Sequence, residues 1–365
     1  MPLKDIALTF VPNLGVKGAV HLLELFGSAE AVYSASASEL MCRASLRENL
    51  ARSIASGAGM REAEQELRYC HQKGLSILTS TDERYPRLLR EIPDYPPVLY
   101  VRGRIEALAG RMVSFVGTRK ISAYGQRMSE NLVREVHETV EDATIVSGLA
   151  FGVDGAAHRA ALAVGATTVA VVANSLPRVT PASHENLAAD IVAKGGAIVS
   201  ELSSQSKQNG RHYIPRNRII AALSAGTVVV ESGESGGSLS TAAFADGYNR
   251  TVMAIPGRVS DSGSRGCNLL IRNRKAQLVL SGRDIVSELM WEFGVAEPKE
   301  KPQTQTPLSE EEQRFLEFFD SDPLTIDQLQ LRSGMSMGDL SYILMCLELS
   351  GAIEPLAGKR YAKII

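Results

Sequence analysis

Short apolar and β-branched runs recur through the middle of the chain at Met112–Val116, Thr144–Ser147, Thr167–Val172, Ala197–Ser200, Thr227–Glu231, Thr251–Ile255 and Gln277–Leu280. Most lack polar alternation, which suits strands buried on both faces of a parallel sheet. Helical spacing fills the gaps at Tyr124–His137, Asp154–Val164, Pro215–Leu223 and Ser238–Gly247. Repeated βα units of this kind predict an α/β fold with an extended, Rossmann-like, doubly wound and mostly parallel sheet. Ligands of such a sheet bind beyond the carboxyl ends of its strands.

The two ends read differently. Residues 1–70 are expected to form a small all-α domain, with Gly57 and Gly59 breaking two helical patterns, and Tyr95-Pro96-Pro97 marks an extended crossing into the body, placed at 75–292. Residues 293–307 are expected to be a linker, since Ala296 to Pro307 carry three prolines and no large apolar residue. The tail, 308–365, shows helical patterns at Glu310–Phe319, Ile326–Ser333 and Ser336–Leu349, then Ala352–Tyr361 around Gly358.

Composition narrows the classes. With 365 residues, 44% hydrophobic and 22% charged, the chain reads as a globular protein of two or three domains. It has neither a secretory leader pattern nor an apolar stretch long enough to cross a bilayer, so a cytoplasmic location and no membrane association are expected. Cys42, Cys70, Cys267 and Cys346 lie far apart, which argues against a disulfide framework or a zinc site. A net charge of −2 speaks against a polyanion-binding protein, but the charge is uneven: Lys207 to Arg283 holds eleven basic side chains against four acidic ones. That concentration is the electrostatic footprint of a polyanion site.

The candidate chemistry lies in three glycine-rich passages after three of the strands. Gly117-Thr118-Arg119 precedes a helix that follows Ser122; there a glycine admits a ligand, free helix-start amides attract an anion, and Arg119 can fork onto phosphate. Ser147 to Asp154 repeats the theme with Gly148 and Gly152, and Ser235-Gly236-Gly237-Ser238 gives the third passage. Three such loops on one sheet edge describe an amide-lined groove for several phosphates in a row. None matches GxGxxG or GxxxxGK(S/T), so neither a dinucleotide cofactor nor a P-loop nucleotide is indicated, and no metal site is either. His158 lacks a sequence partner for catalysis and is expected to be a hydrogen-bonded structural histidine.

These motifs, taken in order, carry a resemblance. Ile77 to Pro86 with Tyr95 to Tyr100 and Gly103, then Gly117-Thr118-Arg119, SGLAFGVDGAAH (Ser147–His158), IPRNRIIAALS (Ile214–Ser224), SGGSLSTA (Ser235–Ala242), IPG (Ile255–Gly257) and SRGCNLLI (Ser264–Ile271) resemble the successive signatures of the DprA/Smf family. The resemblance implies an extended Rossmann domain that binds single-stranded DNA in a positive pocket, forms homodimers, protects incoming strands in natural transformation and loads RecA, without catalysis. It implies that Arg119 grips phosphate, that Arg216, Asn217 and Arg218 form the family's PRNR-type motif near the pocket, and that Gly148, Gly152, Gly236 and Gly237 are its glycine turns. One departure stands out. Where the family commonly has Gly-Leu-Asp-x-Tyr-Pro and a following basic residue, this chain reads Ser175 to Ala182, and Arg178 is the candidate substitute for the lysine missing near Ala182.

Pro12 to Gly18 resembles the hairpin of helix-hairpin-helix and SAM-like modules, for which a structural or protein-contact role is expected because only Lys17 supplies charge nearby. The tail resembles a winged helix, yet its third helix carries Asp339 and Glu348 and no basic residue, so a protein-contact or autoinhibitory role is expected rather than duplex reading. A rival enzyme reading, a nucleotide-processing Rossmann protein of the lysine-decarboxylase-like type, needs a carboxylate for acid–base work, and at the matching position near Phe244 no glutamate stands within a helical turn. Aromatic residues make up 5% of the chain, with Tyr124, Phe151 and Tyr213 near the loops and Phe151 expected in the core. A phosphate-dominated grip with little base preference is therefore expected.

Overall fold

The computed structural model describes residues 2–207, 209–291, 309–319, 323–350, 352–356 and 360–363. The stretch expected as linker, 293–307, lies outside the described residues, as does Gly358. The chain divides into two compact units, Met1–Gly294 and Val295–Ile365. Among the described residues, no helix is long and apolar enough to cross a membrane.

The first unit opens with six helices: α1 (Leu3–Phe10), α2 (Gly15–Phe26), α3 (Ala29–Ser34), α4 (Ala37–Ala44), α5 (Glu48–Ala55) and α6 (Met60–Lys73). Their apolar faces close a local core around Leu22, Val32, Leu40 and Ile54. Ile6, Ala63 and Cys70 turn the other way, packing with Tyr100 and Ile198 of the sheet described next.

Nine strands form that sheet: β1 (Ser76–Thr79), β2 (Val98–Gly103), β3 (Met112–Gly117), β4 (Thr144–Ser147), β5 (Thr168–Val171), β6 (Ala197–Ser200), β7 (Gly226–Glu231), β8 (Thr251–Ala254) and β9 (Gln277–Leu278). Their order is β1, β2, β6, β5, β4, β3, β7, β8, β9, parallel from β6 to β9, with β2 antiparallel to both β6 and β1. Seven of these strands coincide with the apolar runs of the sequence to within a residue or two at each end.

The remaining helices of this unit are α7 (Arg87–Arg90), α8 (Ala123–Thr139), α9 (Val153–Val164), α10 (Glu185–Ala193), α11 (Tyr213–Leu223), α12 (Gly237–Gly247), α13 (Arg265–Arg272) and α14 (Gly282–Glu288). Successive strand residues point to opposite faces, and the packing follows. Ile145 joins α8, α9 and α14 in one core through Leu132, Val133, Ala161 and Ile285, while its neighbour Val146 joins α11 and α12 through Ile219, Leu223 and Ala242. Both faces are covered, which is why the strands could dispense with polar alternation.

The chain runs outward from β3 through β4, β5 and β6, then returns to lay β7 against the other side of β3. That reversal opens a crevice between the loops after β3 and β7, the place where doubly wound sheets bind ligands.

The second unit has helices α15 (Glu310–Phe315), α16 (Ile326–Ser333) and α17 (Met337–Leu349) with an antiparallel sheet of β10 (Leu324–Thr325), β12 (Arg360–Lys363) and β11 (Ile353–Leu356), in that order. The helical pattern expected through Phe319 ends at Phe315 and tightens into a 3₁₀ turn at Leu316–Phe318. Phe315, Leu329, Leu340 and Leu347 make the core. Three helices and a three-stranded sheet in this order are a winged helix.

Candidate nucleic-acid interface

A cavity of about 300 Å³ occupies the crevice between β3 and β7. Its lining includes Gly117, Thr118 and Arg119 from the first loop, Tyr213, Arg216 and Asn217 from α11, and Gly236, Gly237 and Ser238 from the third loop.

The first turn is held from two sides. The Thr118 amide donates to the Glu231 carbonyl at 2.7 Å, and the Val153 amide donates to the Thr118 carbonyl at 3.2 Å. A side chain at Gly117 would press on Val153 and the Glu231 carbonyl, with a Cβ 2.4 and 2.7 Å away. Arg119 is exposed, and its guanidinium lies 5.0 Å from the centre of the Tyr213 ring. A cation so placed is steered by the ring face yet keeps its donors open to solvent and ligand.

The helix start at α8 departs from the sequence expectation of free amides. The Glu231 carboxylate accepts from the Ser122 amide at 2.9 Å and its hydroxyl at 3.0 Å, and the Ser122 hydroxyl caps the Gly125 amide at 3.1 Å. An internal anion already satisfies this helix start. At α12 no side-chain cap is present, and the first-turn amides of Gly237 and Ser238 have no intrahelical acceptor. A Cβ at Gly236 or Gly237 would meet nothing nearer than 3.7 or 3.8 Å. Crowding therefore does not demand these glycines; what they provide is access to the backbone.

The second loop is scaffold. Gly152 has φ +77°, and a Cβ there would sit 2.1 Å from the Thr118 carbonyl oxygen. Gly148 leaves room for Asp154 and Arg216, whose side chains would lie 2.5 and 2.8 Å from a Cβ. Arg216 is 6% exposed and donates to the carbonyls of Gly148, at 2.7 Å, and Val171. Burial pushes its guanidinium below the ordinary value while Asp154 holds it up; burial likewise raises the Asp154 carboxyl, and Arg216 pulls it back. Arg216 thus spends its charge and donors on the loop. Asn217 bridges inward and outward, accepting from Arg216 Nε at 3.3 Å and donating to the Gly237 carbonyl at 3.1 Å.

The other expected residues stand apart from the cavity. Ser147 is fully buried and donates to the Phe115 carbonyl at 2.6 Å. Arg218 turns to Glu201 and Asp94 at the far side of α11, and Arg178 is exposed on the loop after β5 and does not line the cavity. The surplus of positive charge is spent in part within the fold, since Arg250 pairs with Glu91 and Arg265 with Glu234.

Phe151 reverses its expected place. It is 50% exposed, braced edge-on against His184 with ring centres 5.0 Å apart, because the Gly152 turn throws it outward from the loop. His158 is buried beneath the loop with Nδ1 2.7 Å from Thr168 Oγ1, and burial drives its imidazole down to about 3. Ile214, 58% exposed beside Tyr213, was not singled out in the sequence because an apolar residue in a helical run reads as core. Among the described residues no cluster of three or more His, Cys, Asp or Glu side chains could hold a metal.

The family model for DNA recombination-mediator protein A matches residues 76–290, and the DprA winged helix domain matches 299–359. The chain belongs to the DprA family. Among DprA relatives, Protein Smf of Escherichia coli strain K12 is 34% identical over 301 residues, covering 81% of this chain and 79% of the relative. The DNA processing protein DprA of Bacillus subtilis is 36% identical over 219 residues, covering 60% of this chain and 72% of its own. Among solved DprA structures, that of Streptococcus pneumoniae superposes with a TM-score of 0.68 at 29% identity, covering 79% of this chain and 98% of the other. The DNA processing protein A of Helicobacter pylori, solved for its single-stranded DNA binding mode, gives a TM-score of 0.53 at 27% identity over 60% of this chain and 97% of its own.

Proposed function

We propose that this DprA-family chain binds and protects single-stranded DNA along the carboxyl edge of its sheet and passes the strand to RecA during DNA uptake and recombination, without chemistry of its own. The observation that carries this reading is the pairing, at the switch-point cavity, of an exposed Arg119 over Tyr213 with the uncapped first turn of α12. Both deliver donors to phosphate oxygens, and neither acts on a bond. In this assignment Gly117, Thr118, Arg119, Asn217, Gly236, Gly237 and Ser238 meet the backbone, and Ser147, Gly148, Gly152 and, from α11, Arg216 shape the second loop. Arg178 is assigned a separate contact with the strand beyond the cavity. A homodimer acting in the cytoplasm, where RecA works, completes the proposal. The helical segment 1–70, the body 75–292, the linker 293–307 and the winged helix 308–365 are taken as its parts.

The lysine-decarboxylase-like alternative finds little support. Of the carboxylates at the loops, Asp154 is taken up by Arg216 and the Ala150 amide, Glu231 by Ser122, and the exposed Glu234 pairs with Arg265 at 3.5 Å. Fluorescence anisotropy of labelled single strands and duplexes, at two salt concentrations, tests the proposal with wild type and Arg119→Ala. Tighter binding of single strands, with a slope of roughly −0.7 per neutralised phosphate, and loss of most of it in the variant are expected. An unchanged variant would sink the assignment of Arg119.

A further inference from the structure

A second cleft, of about 840 Å³, opens beside the first, beyond the carboxyl ends of β5 and β6. Arg216 lines both, so they are neighbours along one sheet edge. One wall is the hairpin between α1 and α2, where Gly15 and Lys17 belong to the first turn of a twelve-residue helix. Across from it lie Asp94, Glu201 and Arg218.

Arg218 Nη2 donates to Glu201 Oε2 at 2.6 Å, and its Nε lies 3.6 Å from Asp94 Oδ2. Tyr248 donates to Asp94 Oδ1 at 2.7 Å. Two valences remain open. Arg218 Nη1, on a side chain only 6% exposed, has no hydrogen-bond partner, and Glu201 Oε1 accepts no hydrogen bond among the described residues. Buried polar atoms are nearly always paired, so an open donor beside an open acceptor in a cleft asks for a ligand that supplies both. The charge pattern narrows that ligand. Asp94 and Glu201 face Arg218 in the cleft, and Arg216, which lines it too with His212, is turned inward to Asp154 and to the Gly148 and Val171 carbonyls, so the carboxylates disfavour phosphate there, whereas Lys17 and the α2 amides at the rim attract it.

We propose that this cleft reads guanine in the bound single strand, an inference that rests on the strand-binding function above. Guanine presents N1–H and N2–H side by side, two donors that one carboxylate takes together, with O6 adjacent as an acceptor for a guanidinium. Glu201 receives the first pair, Arg218 Nη1, enclosed when no ligand is bound, turns out to O6, and Lys17 holds the adjoining phosphate. Thymine places its O2 where guanine has the amino group, so a carbonyl oxygen would face the carboxylate. The hairpin is then part of the nucleic-acid surface, and the grip is not indifferent to base as the aromatic-poor composition suggested.

The test titrates the full chain with a labelled oligo(dT) of fixed length and with the same oligonucleotide carrying isolated guanines, and adds free dGMP as a competitor. The guanine-bearing strand is expected to bind about tenfold more tightly, as one bidentate base contact would give. Glu201→Gln should cut that preference to under twofold, and Lys17→Ala should reduce the salt slope by roughly 0.7. The wild-type preference needs no variant, so a misfolded Glu201→Gln protein would not shield the idea. Equal binding of both strands, with Arg119→Ala still losing them, overturns the guanine subsite and leaves strand binding intact. Failure of wild type to bind any strand overturns both. Saturable dGMP binding without a guanine preference in DNA overturns the strand form and makes a free guanine nucleotide the ligand.

Discussion

Arg216 separates two ways of reading a basic motif. If it were a phosphate ligand, Arg216→Met would weaken DNA binding and leave the fold alone. The structure requires the reverse order of effects. Removing the guanidinium leaves Asp154 buried without its cation and strips the Gly148 and Val171 carbonyls of a donor. Breaking a buried pair by deleting one partner costs about 3–5 kcal/mol, which for a unit of this size lowers the melting midpoint by about 10 °C. The deficit should depend on pH with a definite sign. Burial already raises the folded Asp154 carboxyl above its ordinary value, so the native state binds a proton more readily than the unfolded one, and the group costs stability as pH rises through its folded value. Loss of Arg216 raises that carboxyl further. The stability gap between variant and wild type should therefore shrink on acidification from pH 7, and Arg216→Met with Asp154→Asn should recover part of the loss at pH 7. Thermal melts at several pH values measure this. A variant that melts with wild type at pH 7 while losing DNA would refute the scaffold role.

Four further outcomes follow from the same geometry. Gly152→Ala forces a side chain onto the Thr118 carbonyl at positive φ and should cost at least about 2 kcal/mol, read as a melting shift. Folded His158 is held down at about 3 against 6.5 unfolded, so its contribution is fully present above pH 6.5 and is lost by about 1.4 kcal/mol per unit as pH falls towards 3. In His158→Gln that part of the acid dependence should vanish from urea unfolding curves. Phe151→Ala should leave the melting point within about 2 °C and weaken single-strand binding by about 1–3 kcal/mol if one base stacks on the ring; unchanged affinity would remove Phe151 from the interface. Truncation after Trp291 should leave duplex affinity unreduced, because α17 bears Asp339 and exposed Met337, Tyr342 and Met345 in place of cations; a sharp loss would make the winged helix a duplex reader.

Most of the parallel strands were legible because they are apolar on both sides, a pattern few other elements produce; β9, with Gln277 and Leu278 exposed at the sheet edge, is the exception. The β1 and β2 pair was harder: Ser76–Thr79 and Val98–Gly103 carry no periodic signal that tells an antiparallel edge from an extended loop. At the site, Gly117, Arg119 and the third loop could be found by residue type, since access and positive charge are written in composition. The division of labour among Arg216, Asn217 and Arg218 could not. All three sit on α11, whose rotation sends Arg216 beneath the second loop and Arg218 to Glu201, and rotation is fixed by packing. Phe151 was misplaced for a related reason: a phenylalanine among glycines reads as core until the positive φ of Gly152 is known.

Glu231 has one more consequence. A dissolved anion at a helix start exchanges with the medium, but a side chain tethered to β7 cannot leave. The α8 start therefore keeps the same occupant at every ionic strength, and the turn that presents Arg119 keeps its shape. The α12 start, lacking such a tenant, exchanges freely. Salt can then set how long a strand stays without altering the frame against which it is measured.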